Sequence, residues 1–135
     1  DKYIGDGLMV FFGDPLDQPD HALRAVRSAI EMQAKVRELQ TDWKVSRGLD
    51  LKIRIGINTG EAVVGNMGSA SRLDYTAIGA QVNLTQRLES NAPVGGILVS
   101  EPTYALVKDR VRCLPHGTIT AKGIPGELQV FVVEK

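Results

Sequence analysis

The chain has 135 residues and a mass of 14.6 kDa, room for one domain. Sixteen basic against sixteen acidic side chains leave it formally neutral, which argues against nucleic acid or an anionic membrane surface as its main partner. Its 43% hydrophobic and 24% charged residues exclude disorder, and a single cysteine, Cys113, excludes an intrachain disulfide or a multi-cysteine metal site.

Lys2 to Ile4 and Leu8 to Phe12 are short β-rich runs around Gly5-Asp6-Gly7, which predicts a hairpin with Asp6 at its tip. Asp1 opens directly on this strand pattern, so the sequence is expected to be a piece of a longer protein. Gly13-Asp14-Pro15 closes the second strand, and Asp17 to Asp20 supply turn and N-cap residues. From His21 to Trp43 apolar residues recur at helical spacing (Leu23, Val26, Ile30, Val36, Leu39), which predicts a long amphipathic helix ending near Arg47-Gly48.

Leu51 to Ile57 alternates and reads as a strand, Asn58-Thr59-Gly60 turns, and Ala62 to Val64 begins a returning strand. Gly65 to Arg72 is small and polar, a loop or arm. Leu73 to Ile78 reads as extended, broken by Gly79, with a shorter helix over Gln81 to Ser90 stopped by Pro93 to Gly96. A strand at Ile97 to Ser100, a short helix over Glu101 to Lys108 and a final strand pair at Gly117 to Thr120 and Leu128 to Val132 complete the pattern. The class is α+β with a largely antiparallel sheet. No apolar run approaches the roughly 20 residues that span a bilayer, so no direct membrane insertion is expected and the expected location is cytoplasmic.

Two stretches could carry chemistry. In Lys2-Tyr3-Ile4-Gly5-Asp6 a turn carboxylate stands beside glycines; a plain turn Asp is the commoner use, a hard-cation ligand the functional one. In Asp74-Tyr75-Thr76-Ala77-Ile78-Gly79-Ala80-Gln81-Val82-Asn83, continuing to Arg87, the pair Asn83 and Arg87 shares one helix face. Polar pairs at that spacing usually decorate a surface. Against this, the predicted position near a helix start favours anions, and Arg has a planar fork suited to phosphate.

Together these stretches resemble the catalytic domain of the class III nucleotidyl cyclases. The resemblance runs from Lys2 through Ile53 to Gly65 (IRIGINTGEAVVG) to Lys122-Gly123, and its specific parts are Lys2-x-x-Gly5-Asp6 and Thr76-(six residues)-Asn83-x-x-x-Arg87. It implies a partial cyclase domain over residues 1–135 with a ferredoxin-like βαββαβ fold, lacking the family's first strand, its first metal aspartate, a phosphate-binding turn and two helices. Neither Asp1 nor Asp14 stands in the context of that missing aspartate. By the same resemblance Asp6 binds metal, Lys2 and Thr76 select the purine, Asn83 orients the ribose, Arg87 stabilises the transition state, and Lys122 contacts phosphate.

The implied activity is that of an adenylate cyclase. It converts ATP to 3′,5′-cyclic AMP and pyrophosphate for intracellular signalling, with two Mg²⁺ or Mn²⁺ per active site. The site is expected at the interface with a second cyclase domain in a homodimer, so these 135 residues alone are expected to be inactive. Lys2 with Thr76 resembles the ATP-using pattern and the bicarbonate-responsive subgroup, whereas guanylyl cyclases typically carry Glu and Cys there. Three alternatives remain open: a non-catalytic cyclase-like module for dimerisation or nucleotide sensing, an unrelated α+β interaction module and, opposed by Lys2 and Thr76, guanylyl cyclase activity.

Overall fold

A computed structural model describes residues 2–4, 7–10, 20–47, 52–60 and 72–134, with side chains at all of these except 2–4, 9, 43–47 and 72–78. The elements in chain order are β1 (Lys2–Ile4), β2 (Gly7–Met9), α1 (His21–Arg47), β3 (Ile55–Ile57), α2 (Arg72–Asn91), β4 (Ile97–Ser100), α3 (Glu101–Val107), β5 (Cys113–Ala121) and β6 (Ile124–Val133). The first hairpin forms as expected: Lys2 pairs with Met9, Tyr3 with Leu8 and Ile4 with Gly7 in an antiparallel ribbon. Its connection, with Asp6, lies outside the described residues, as do the expected strand at Ala62 to Val64 and nearly all of the arm after it.

The main sheet has the strand order β3-β4-β6-β5. β4 with β6 and β5 with β6 are antiparallel, while β3 and β4 are parallel and joined by the α2 crossover. All four residues of β4 are buried, as befits a central strand covered on both faces. Side chains alternate across it. Ile97 and Val99 join Phe131 and Val133 of β6 beneath Ala22, Val26 and Ala29 of α1 and Val107 of α3. Leu98 and Val130 face the other way and meet Leu84, Leu88 and Ala92 of α2. The mixed α+β class is therefore built as a sheet with helices on both faces.

Some polar groups tie the layers. Gln33, 1% exposed within α1, donates through Nε2 to the carbonyls of Ile53 (3.1 Å) and Gly96 (2.9 Å), satisfying backbone acceptors at the start of β3 and of β4. Tyr104 of α3 stacks on Phe131 with ring centroids 3.9 Å apart. At the entry to α1, Arg24 donates to Asp20 at 3.0 Å and holds that carboxyl below its ordinary value.

The largest departure from the sequence reading is α2. Residues 73–78, read as extended, are helical, and the helix runs 20 residues without a break at Gly79. The β-branched and aromatic residues Tyr75, Thr76 and Ile78 favoured a strand. In the sequence, however, Leu73, Ala77, Ala80, Leu84 and Leu88 follow one three-and-four spacing, the helical period, across the whole segment. An internal glycine costs only about 1 kcal/mol against alanine, and no proline intervenes. The helical period outweighs the local propensity.

Candidate active site

The site residues on α2 are placed by the buried seam behind them. Leu84 and Leu88 fix which way the helix faces, and this leaves Asn83 half-buried and Arg87 exposed on its flank. Arg87 donates through Nε to the carbonyl oxygen of Thr120 on β5, at 3.2 Å. That bond commits Nε of an exposed side chain and leaves the two terminal amino groups without a protein partner among the described residues. Among the described residues no carboxylate pairs with it.

The β5–β6 turn brings Lys122 to the same side. Gly123 has φ +89°, a conformation that L side chains rarely adopt, and a Cβ there would stand 3.0 Å from the Cβ of Ala80. The turn therefore rides on α2 one turn before Asn83. Lys122, exposed in this turn, and Arg87, tied to Thr120 two residues earlier in the strand, are both cations along one border of α2 and β5. Beside Arg87 a shallow cleft of about 250 Å³ is lined by Asn91, Thr118, Ile119, Thr120 and Glu127. Asn83, half-buried, stands about one helical turn from Arg87 and from Ala80, against which the Lys122 turn rests; two cations near such an amide suit a phosphorylated ligand with a polar sugar.

Position 76 lies in α2, two turns before Asn83, and Lys2 lies in β1; the side chains of both are outside what is described. The β1–β2 ribbon is hydrogen-bonded to neither edge of the larger sheet among the described residues. Of the sequence-expected residues, the structure thus brings Asn83, Arg87 and Lys122 to one border. One expectation is corrected. Because α2 begins at Arg72, Asn83 sits mid-helix and Arg87 near the C-terminal end, so the helix start contributes nothing to anion binding at this pair.

Sequence reasoning passed over Asn58 and Gln81. Asn58, just after β3, donates through Nδ2 to the backbone carbonyl of Gln81 (3.2 Å) and to its Oε1 (2.8 Å). Thr59 shares a 2.7 Å hydrogen bond with Thr103, which also meets Ser100 at 3.2 Å. A turn signal at Asn58-Thr59-Gly60 was all that the local sequence offered, since the partners lie more than 20 residues away. As for metal donors, no group of three His, Cys, Asp or Glu side chains comes together among the described residues.

This architecture belongs to a known class. Residues 2–135 match the family described as the adenylate and guanylate cyclase catalytic domain, and the chain is a member of that family. It is 34% identical over 134 residues to adenylate cyclase 1 of Rhizobium meliloti, covering 98% of this chain and 20% of that protein. Among solved structures it is similar to the adenylyl cyclase CyaB from P. aeruginosa, with 43% identity, a TM-score of 0.85, and coverage of 100% of this chain and 70% of that one. It is equally similar in sequence to the guanylyl cyclase Cya2, at 43% identity and a TM-score of 0.82 over 98% of this chain and 68% of that one. The chain thus spans a fifth of the Rhizobium meliloti protein. No described helix is long and apolar enough to cross a membrane.

Proposed function

We propose that the protein carrying this chain is an adenylate cyclase that converts ATP to 3′,5′-cyclic AMP and pyrophosphate at a homodimer interface. The observation that carries the reading is the α2 border, where Arg87, tied to Thr120, stands one helical turn after Asn83 and the Gly123 turn that carries Lys122 rests on Ala80, one turn before it. In the reaction the ribose 3′-oxygen bonds to the α-phosphorus, the bond from that phosphorus to pyrophosphate breaks, and the hydroxyl proton is released. Both reacting groups belong to one molecule, so the protein's work is positioning and charge stabilisation.

Each residue then has a part. Asn83 orients the ribose by hydrogen bonding, and Arg87 lays its terminal amino groups on the crowded α-phosphoryl oxygens. Lys122 balances charge on the phosphate chain. Lys2 and Thr76 read the purine edge and favour adenine. Asp6, the one carboxylate assigned to metal, would hold Mg²⁺ or Mn²⁺, two ions per site being the family expectation; a bound ion would neutralise charge on the triphosphate.

The exposure of Arg87 and Lys122 favours a shared site. Both cations of the border are exposed, so a nucleotide held by them takes its other walls from elsewhere. A second cyclase domain related by two-fold symmetry would supply them. The test is turnover of ATP and GTP by the purified whole protein with Mg²⁺ or Mn²⁺. Cyclic AMP formation with ATP preferred is expected; preference for GTP would reassign the purine, and failure to turn over or bind either nucleotide would favour an interaction module.

A further inference from the structure

The segment from β3 to Gly60 runs along α2 in the opposite direction at unusually close range. A Cβ at Gly56 would fall on the backbone nitrogen of Glu89 and stand 2.8 Å from the Cβ of Leu88. Four residues on, a Cβ at Gly60 would stand 2.7 Å from Oε1 of Gln81. Between these glycine contacts lies Asn58, half-buried, with its Nδ2 donating to both oxygens of Gln81. Both partners are acceptors, so only the amino end of the amide can face them. The other end, Oδ1, is buried with no partner among the described residues. A buried unmade acceptor is costly, and the two donated bonds are what the arrangement gains. The backbone oxygen of Gln81 also accepts from Thr85 Oγ1 at 2.9 Å. Gln81 is therefore gripped from outside the helix and from within it, two residues before Asn83 and six before Arg87.

Resting on the cyclase reading above, we propose that Asn58 is a positioning residue for the cyclisation: by holding Gln81 it sets the slide and rotation of α2, and so where Asn83 and Arg87 meet the nucleotide. The apolar seam fixes which face of α2 is buried but resists small slides weakly, because methyl and methylene contacts are non-directional. Hydrogen bonds from a side chain outside the helix are directional and oppose such slides. A misplacement of about 1 Å can cost about 10² in rate, so a loose clamp would be felt at the phosphate.

The experiment uses the whole protein with Asn58→Asp, Arg87→Ala and the double variant, measuring kcat, KM for ATP with Mg²⁺, and melting temperature. Aspartate keeps the shape but sets an acceptor against two acceptors. Asn58→Asp is expected to lower kcat by about tenfold or more, and in the Arg87→Ala background by no more than about threefold, because the principal group it positions is gone. General damage to the fold would instead lower kcat by the same factor in both backgrounds. An equal loss in both, or wild-type kcat in Asn58→Asp, overturns the proposal. Should Asn58→Asp lack a cooperative melt, Asn58→Ser, with one donor on a shorter side chain, takes its place in the same cycle. Absence of turnover in the wild-type protein would instead overturn the cyclase reading, and this inference with it.

Discussion

Arg87 is exposed, yet its Nε is committed to Thr120, so the side chain is oriented before any ligand arrives. Preorganisation of this kind makes a donor effective in a transition state, because little reorientation is left for the moment of reaction. Purine choice belongs to the same scale. Changing Lys2→Glu together with Thr76→Cys is expected to lower the ATP-to-GTP ratio of kcat/KM, since a base whose hydrogen-bond pattern is unmatched leaves polar groups unpaired. An unchanged ratio would remove both residues from the purine site. Asp6→Ala is expected to abolish turnover with Mg²⁺ in the whole protein while leaving its thermal melt largely intact. Cyclic AMP formation at the wild-type rate by that variant would take Asp6 out of the metal site.

Among the elements, β3 and α2 are held together by an absence of side chain. Gly56→Ala should cost about 1–3 kcal/mol, the usual range for overpacking, because its Cβ has backbone rather than a flexible side chain in its way. Urea unfolding should show a lower midpoint with an unchanged slope; an unshifted midpoint would mean that β3 can move off α2 freely. The same pair of elements marks what the sequence could and could not reveal. The β1–β2 pairing, α1, β4, α3 and the final hairpin were legible because each carries its own periodicity or turn residues. The helical state of residues 73–78 was not, since the local strand propensity of Tyr75, Thr76 and Ile78 and the helical period of the longer segment pointed in opposite directions. That Asn83 and Arg87 share one helix, four residues apart, was legible from their spacing. The Asn58 clamp was not, because its partner is 23 residues away and nothing in an Asn-Thr-Gly turn announces it.

At the scale of the molecule, the sheet joins one parallel and two antiparallel pairings and carries α2 on one face with α1 and α3 on the other. The candidate residues Arg87 and Lys122 are exposed on the α2 border beside β5, as a site shared between two such domains would require. The 135 residues purified alone are expected to show no measurable ATP turnover, because Asp6 is the one carboxylate assigned to a clamp that needs a second. Clear turnover by this piece without a complementing chain would show that the metal ligands are misassigned. The most direct test of the central claim is cyclic AMP and pyrophosphate formation from ATP with Mg²⁺ or Mn²⁺, by the whole protein and by its Arg87→Ala variant. The two products should appear in equal amounts, and the variant should be slower by about 10²–10³-fold, the usual loss for a transition-state donor. Cyclic AMP formed at the same rate by both proteins, or by neither, would contradict the account.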